Sequence, residues 1–161
     1  MKRLENRVAI VTGGTAGIGE ATALRFAREG AQVVVWARNE ARGKEMEKKA
    51  AAEGLAITFD KVDTSDFEAV TAAAKRVADK FGKIDILVNS AGEADYTRPI
   101  TGVTDEFFDH IVKVDQYAVF YMCREVVKYM QSAHSGSIVN ISSVVGQMGN
   151  AGQIHYASAK A

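Results

Sequence analysis

At 161 residues the chain is long enough to bury a substantial core and short for two domains of ordinary size. Apolar residues make up 47% and charged residues 25%, the balance of a packed globular protein rather than a disordered or fibrous one. Basic and acidic residues number 20 each and no run of five like charges occurs, which argues against a nucleic-acid footprint or an anionic membrane surface and favours small-molecule work.

Cys123 is the only cysteine, so an internal disulfide and a four-thiolate metal site are excluded and the cytosol is the expected compartment. Residues 2–7 carry charges with no apolar stretch of secretory length behind them, and no apolar run approaches a membrane span. Neither export nor insertion is expected. His110, His134 and His155 are scattered singly, so no metal is expected, and His155 is read as a surface residue rather than a proton relay.

Short β-branched runs alternate with longer helix-period segments, the mark of a parallel sheet with crossover helices. Strands are predicted at residues 7–12, 31–36, 55–60, 84–89 and 137–142. Val33-Val34-Val35 and Ile84-Asp85-Ile86-Leu87-Val88 are almost continuously apolar, as in strands covered on both faces. Between the third and fourth strands, Phe67, Val70, Ala74, Val77 and Phe81 draw one helical stripe, opened by a capping box of Ser65 and Glu68. A longer helix over residues 104–131 carries Phe107, Ile111, Val114 and Ala118 on one face, places Cys123 in core packing and is left at Gly136. Pro99, the sole proline, can start a new element after the fourth strand.

Directly after the first strand comes Thr12-Gly13-Gly14-Thr15-Ala16-Gly17-Ile18-Gly19, followed by an alanine-rich amphipathic segment reaching Gly30. In a strand-to-helix turn, glycines let the backbone approach a pyrophosphate closely. The free N–H groups and the dipole at the helix start attract its charge. Gly13, Thr15, Gly17, Ile18 and Gly19 are therefore assigned to dinucleotide binding. About 20 residues on, an acidic residue would hold the free ribose hydroxyls of NAD. Ala37 and Arg38 stand there instead, leaving room for a 2′-phosphate and a guanidinium to bind it, so NADP(H) is expected over NAD(H). A solvated surface arginine is the plainer alternative, as for Arg42 and Lys44 nearby.

Tyr156 and Lys160 lie four apart, on one helical face. A free phenol has a pKa near ~10, and a neighbouring ammonium lowers it toward useful proton exchange. Ser143 lies thirteen residues upstream, at the C-terminal end of the fifth strand, where open α/β sheets place their sites; it could also simply satisfy a strand end.

In order and spacing, the glycine turn, Asp63 after the third strand, Asn89-Ser90-Ala91-Gly92, then Ser143, Tyr156 and Lys160 resemble the short-chain dehydrogenase/reductase family. Residues 143–153 are most similar to 3-oxoacyl-acyl-carrier-protein reductases, enzymes of fatty acid biosynthesis. The resemblance implies a Rossmann-like, doubly wound parallel α/β sheet. Tyr156 would exchange the proton, Lys160 would lower its pKa and bind the nicotinamide ribose, and Ser143 would position the carbonyl oxygen. Asp63 would meet the adenine with Val62 beside it, while Asn89, Ala91 and Gly92 would line the cofactor. The substrate would be a small or acyl-carrier-linked carbonyl compound, and the full-length form a homo-oligomer, dimer or tetramer.

Two departures stand out. Asp115 replaces the family's asparagine in Val114-Asp115-Gln116, and an ionised carboxylate there cannot donate a hydrogen bond and would pair with Lys160, weakening its help to Tyr156. The family also continues for about 80 to 100 residues past the lysine, in domains of ordinary size. Residues 1–161 are thus expected to be a Rossmann domain incomplete at its C-terminus, truncated after the fifth strand. An NADPH-dependent carbonyl reductase or alcohol dehydrogenase, a non-catalytic nucleotide-binding module and a partner-binding protein using an open sheet edge remain the competing readings.

Overall fold

A computed structural model describes residues 2–94 and 97–161. Five parallel strands, β1 (Val8–Thr12), β2 (Gln32–Ala37), β3 (Ile57–Lys61), β4 (Ile86–Asn89) and β5 (Ser137–Asn140), form one sheet in the order β3-β2-β1-β4-β5. The order reverses beside β1, because the chain winds outward to β3 and then returns to β4, leaving a crevice at the strand ends between β1 and β4. Register is fixed along this junction by Ala9 opposite Ile86 through Thr12 opposite Asn89. The predicted strands are all present, with ends moved by up to two residues.

Helices cover both faces, as the continuous apolar strands require. On one face α1 (Gly17–Arg28) and α2 (Glu40–Ala52) close over Val11, Val33 and Val35, with Leu24 and Met46 buried between. On the other face α3 (Phe67–Phe81) and α5 (Ala118–Ser132) close over Ile10, Trp36 and Leu87 through Val70, Val77, Met122 and Val126. Cys123 is half-buried against this second layer.

The start of α3 differs from expectation. Asp66, not Ser65, is its N-cap, its side chain accepting from the Glu68 and Ala69 amides at 2.9 and 3.2 Å. Ser65 instead donates to Asp63, through both its amide and its hydroxyl. Either residue type caps a helix, and two adjacent candidates leave the choice to the incoming chain direction.

The predicted long helix is two helices joined by a π-turn. Thr104 caps α4 (Asp105–Val112), Lys113–Tyr117 form the wider turn, and α5 continues to Ser132. The apolar stripe survives, since Ile111, Val114 and Ala118 are buried and Phe107 is half-buried. The exit from α5 lies at Ala133 and at His134, whose φ is 50°; Gly136 comes later, where a Cβ would strike Met130. Pro99 starts a 3-10 turn over Ile100–Gly102, as predicted. Past β5, two short helices, α6 (Val144–Met148) and α7 (Ile154–Lys160), pack together, and α7 also packs on α4.

Candidate active site

A cleft of about 670 Å³ opens over the crevice between β1 and β4. Its floor is the glycine turn. Gly13 has φ 65°, and a Cβ there would stand 2.9 Å from the Ala91 backbone. Gly19 is buried in the first turn of α1, with a would-be Cβ 2.4 Å from the Gly13 carbonyl oxygen, so α1 begins pressed against the loop that precedes it. Thr12 ties this loop to the one after β4, its hydroxyl accepting from the Ser90 and Ala91 amides at 3.1 and 3.0 Å. Ala16 occupies the α1 N-cap without a side-chain hydrogen bond, leaving that helix start to an outside acceptor. Thr15 and Gly17 line the cleft, whereas Ile18 is exposed to solvent beside it.

At the other end lie Ala37, Arg38, Arg42, Val62 and Asp63. Burial would raise the Asp63 carboxyl, but the two Ser65 hydrogen bonds and the nearby Arg38 and Lys113 charges hold it below the usual carboxylate range. Arg38 is not a lone cation. Its Nη2 is paired with Glu93 Oε1, while the other Glu93 carboxylate oxygen meets His110 Nε2 at 2.8 Å. His110 is thus engaged by a carboxylate that its isolated place in the sequence did not suggest.

Ala91 and Gly92 line the cleft, and Gly92 separates it from a buried charge pair. A Cβ on Gly92 would lie 2.7 Å from Asp115 Oδ1 and 3.0 Å from Lys160 Nζ. Asp115 sits in the π-turn, where one extra residue per turn rotates its side chain off the helix spacing and into the site. Its Oδ1 accepts the Glu93 amide at 2.8 Å and lies 3.8 Å from Lys160 Nζ, as the carboxylate–lysine pairing expected from sequence requires. Its Oδ2 is buried without a partner among the described residues.

The α7 helix places two adjacent stripes. His155 and Ala159 are buried, and His155 packs edge-on against Phe107 of α4 at 5.0 Å between centroids. The next stripe carries Tyr156 and Lys160, with Lys160 Nζ 5.8 Å from the Tyr156 ring centre and 3.8 Å from Asp115 Oδ1. His155 is therefore a core residue, fully buried, rather than the surface residue expected: the face that anchors α7 is the one a single residue before the Tyr156 stripe. Lys160 is also fixed through its main chain. The Ser142 hydroxyl donates to its carbonyl at 2.5 Å, and Gly146 approaches that carbonyl so closely that a Cβ would stand 2.3 Å away. Ser143 caps α6, its hydroxyl accepting the Val145 amide at 3.2 Å.

Asn89 departs from expectation. Its side chain is buried and donates to Asn140 Oδ1 at 2.8 Å and toward Cys123 Sγ at 3.5 Å, so it joins β4 to β5 and α5 rather than lining the cleft. Among the described residues no group of three His, Cys, Asp or Glu side chains is arranged to hold a metal ion, and no helix is long and apolar enough to cross a membrane.

The short chain dehydrogenase family matches residues 7–161. The chain belongs to that family. Similar proteins include the 3-oxoacyl-acyl-carrier-protein reductase FabG of Chlamydia pneumoniae, 36% identical over 160 residues, covering 98% of this chain and 63% of the relative. A 3beta-hydroxysteroid dehydrogenase of Mediterraneibacter gnavus is 37% identical, covering 99% of this chain and 58% of the relative. Among solved structures, an NAD+-bound xylitol dehydrogenase superposes with a TM-score of 0.95 at 29% identity, covering 99% of this chain and 61% of that one. The chain thus spans about three-fifths of the length of the relatives it matches.

Within this short-chain dehydrogenase site, sequence reasoning missed Glu93, and it placed Thr12 at the start of the glycine turn without the loop-tying role its hydroxyl has. The only signal for Glu93 was an acidic residue directly after Asn89-Ser90-Ala91-Gly92. Asp115 has a measurable consequence. Burial pushes its carboxyl above the usual carboxylate range, although the Glu93 amide and the Lys160 ammonium pull the other way. A carboxyl with a higher pKa folded than unfolded adds stability at low pH, and that stability is lost as pH rises through the folded value. Asp115→Asn does not titrate. The stability of the variant minus that of wild type is therefore expected to increase from about pH 4 to neutrality. Urea unfolding at several pH values measures it, and a difference that stayed flat or fell would show that Asp115 is not a strained buried charge.

Proposed function

We propose that residues 1–161 form the coenzyme-binding part of an NADPH-dependent carbonyl reductase or alcohol dehydrogenase of the short-chain type, with 3-oxoacyl-acyl-carrier-protein reduction as the specific activity. The observation that carries this reading is the continuity of one cleft. It runs from Arg38 and Arg42, across the glycine turn and the uncapped start of α1, to Gly92, behind which Lys160 stands. The residues fit a dinucleotide: with no Cβ at Gly13 and Gly19 the turn packs directly on the loop after β4 and on the start of α1, which brings bare backbone to the cleft, and the α1 N–H groups and dipole suit a pyrophosphate.

A nicotinamide coenzyme, when bound, supplies the hydride. Tyr156 is the group that gives a proton to the carbonyl oxygen in reduction and takes it back in oxidation. Lys160 stands beside it with its positive charge, and Ser143 orients the carbonyl. Asp63 and Val62 border the adenine end. The names of the relatives, reductases and dehydrogenases, favour this enzyme over a non-catalytic nucleotide-binding module. A cytoplasmic location and a homo-oligomeric full-length form accompany the reading, the exposed Tyr117 and Phe120 offering apolar surface for assembly.

Coenzyme choice rests on Ala37 and Arg38, because the fold accommodates NAD+ in the xylitol dehydrogenase neighbour. Trp36, the single tryptophan, borders the cleft and makes binding visible by energy transfer to the reduced coenzyme. Arg38→Glu is expected to lower the ratio of NADPH to NADH affinity at least about tenfold, the loss of a charge-assisted phosphate contact. An unchanged ratio would overturn the NADP assignment. Saturable binding with no turnover on any 3-oxoacyl thioester would favour the module instead.

A further inference from the structure

Glu93 belongs to neither the glycine turn nor the proton-handling set, yet it reaches across the cleft. Its main chain is held at one end, the amide donating to Asp115 Oδ1 at 2.8 Å. Its carboxylate is held at the other, one oxygen on His110 Nε2 at 2.8 Å and one on Arg38 Nη2. Arg38 follows β2 and Glu93 follows β4, while β1 and its glycine turn lie between those strands, so the pair spans the mouth of the crevice. Burial would raise the Glu93 carboxyl, but the His110 and Arg38 hydrogen bonds outweigh it and hold the group below the usual carboxylate range. Glu93 is therefore a fixed negative charge on the one arginine assigned to a 2′-phosphate.

We propose that Glu93 is a determinant of coenzyme preference that competes with the 2′-phosphate of NADP(H) for Arg38. The proposal rests on the NADP reading above, which gives Arg38 its ligand. A 2′-phosphomonoester carries roughly −1.5 to −2 charge at neutral pH. To reach the Arg38 fork it must either share the guanidinium with the carboxylate, at the cost of like-charge repulsion, or displace it. NAD(H) brings only hydroxyls to that position and leaves the Arg38–Glu93 pair intact. Glu93 thus lowers NADPH affinity selectively and narrows the discrimination that Ala37 and Arg38 confer. His110 acts as a positioning residue, holding the carboxylate on the cleft side.

The test is a set of NADPH and NADH titrations of wild type, Glu93→Gln, Arg38→Ala and the double variant, read by Trp36 energy transfer. Glu93→Gln keeps the length of the side chain and one acceptor oxygen and removes its charge. It is expected to tighten NADPH binding about fivefold or more, with NADH affinity changed less than about twofold. In an Arg38→Ala background the same substitution should lose most of that selective gain, because the contested cation is gone. Unchanged or weakened NADPH binding in Glu93→Gln, while Arg38→Ala still weakens it, would overturn the proposal and leave the NADP reading standing. Arg38→Ala without effect on NADPH would instead remove the reading on which it rests.

Discussion

Gly19→Ala is expected to destabilise the protein by about 2 kcal/mol and to weaken coenzyme binding by at least about tenfold. The sign is the informative part. A glycine inside a helix ordinarily gains roughly 0.5–1 kcal/mol of stability when replaced by alanine. Gly19 lies in the first turn of α1, yet its missing Cβ leaves room for the Gly13 carbonyl oxygen, which would otherwise stand 2.4 Å away. That neighbour is backbone and cannot rotate aside, so α1 has to move off the loop. The helix start that faces the cleft then moves with it, and its N–H groups lose their aim. Thermal unfolding and NADPH titration of the variant check both halves. An alanine variant as stable as wild type, with unchanged affinity, would show that the close approach has no role.

Tyr156→Phe is expected to reduce carbonyl turnover by about 10²–10⁴-fold while leaving coenzyme affinity within a few-fold of wild type, the size of a lost general acid. Phenylalanine keeps the ring beside Lys160 and removes only the proton-bearing oxygen. The ring itself does not line the cleft, and the main-chain hold on Lys160 from Ser142 and Gly146 is untouched. Steady-state reduction of a 3-oxoacyl thioester, in a form of the protein with turnover, together with coenzyme titration separates the two effects. Unaltered turnover would take the proton transfer away from Tyr156.

The strands and the glycine turn were legible because each rests on local chemistry. A strand covered on both faces must be apolar throughout, as Val33 to Val35 are, and a turn that receives a helix start at backbone contact must be glycine. The π-turn was not legible. Val114, Ala118, Met122, Val126 and Met130 recur at steps of four, which an unbroken helix also satisfies, so nothing in that spacing reveals the wider turn that directs Asp115 inward. Asn89 and His155 failed for a related reason. Each lies in a motif whose neighbours face the site, and which way a single side chain turns depends on elements distant in sequence: Asn140 for the first, Phe107 for the second. The Arg38–Glu93 contact joins residues 55 apart and required the strand order before it could be seen.

β5 has a consequence for local stability within residues 1–161. It pairs with β4 alone among the described strands, and three of its four residues are exposed, whereas β1 is flanked on both sides and wholly buried. Free energies of local opening follow such differences, lowest where a segment has few buried neighbours. The glycine turn springs from the buried strand, while Ser143 and the run into α7 spring from the exposed one. Within residues 1–161, backbone amides of β5 are therefore expected to exchange with solvent faster than those of β1.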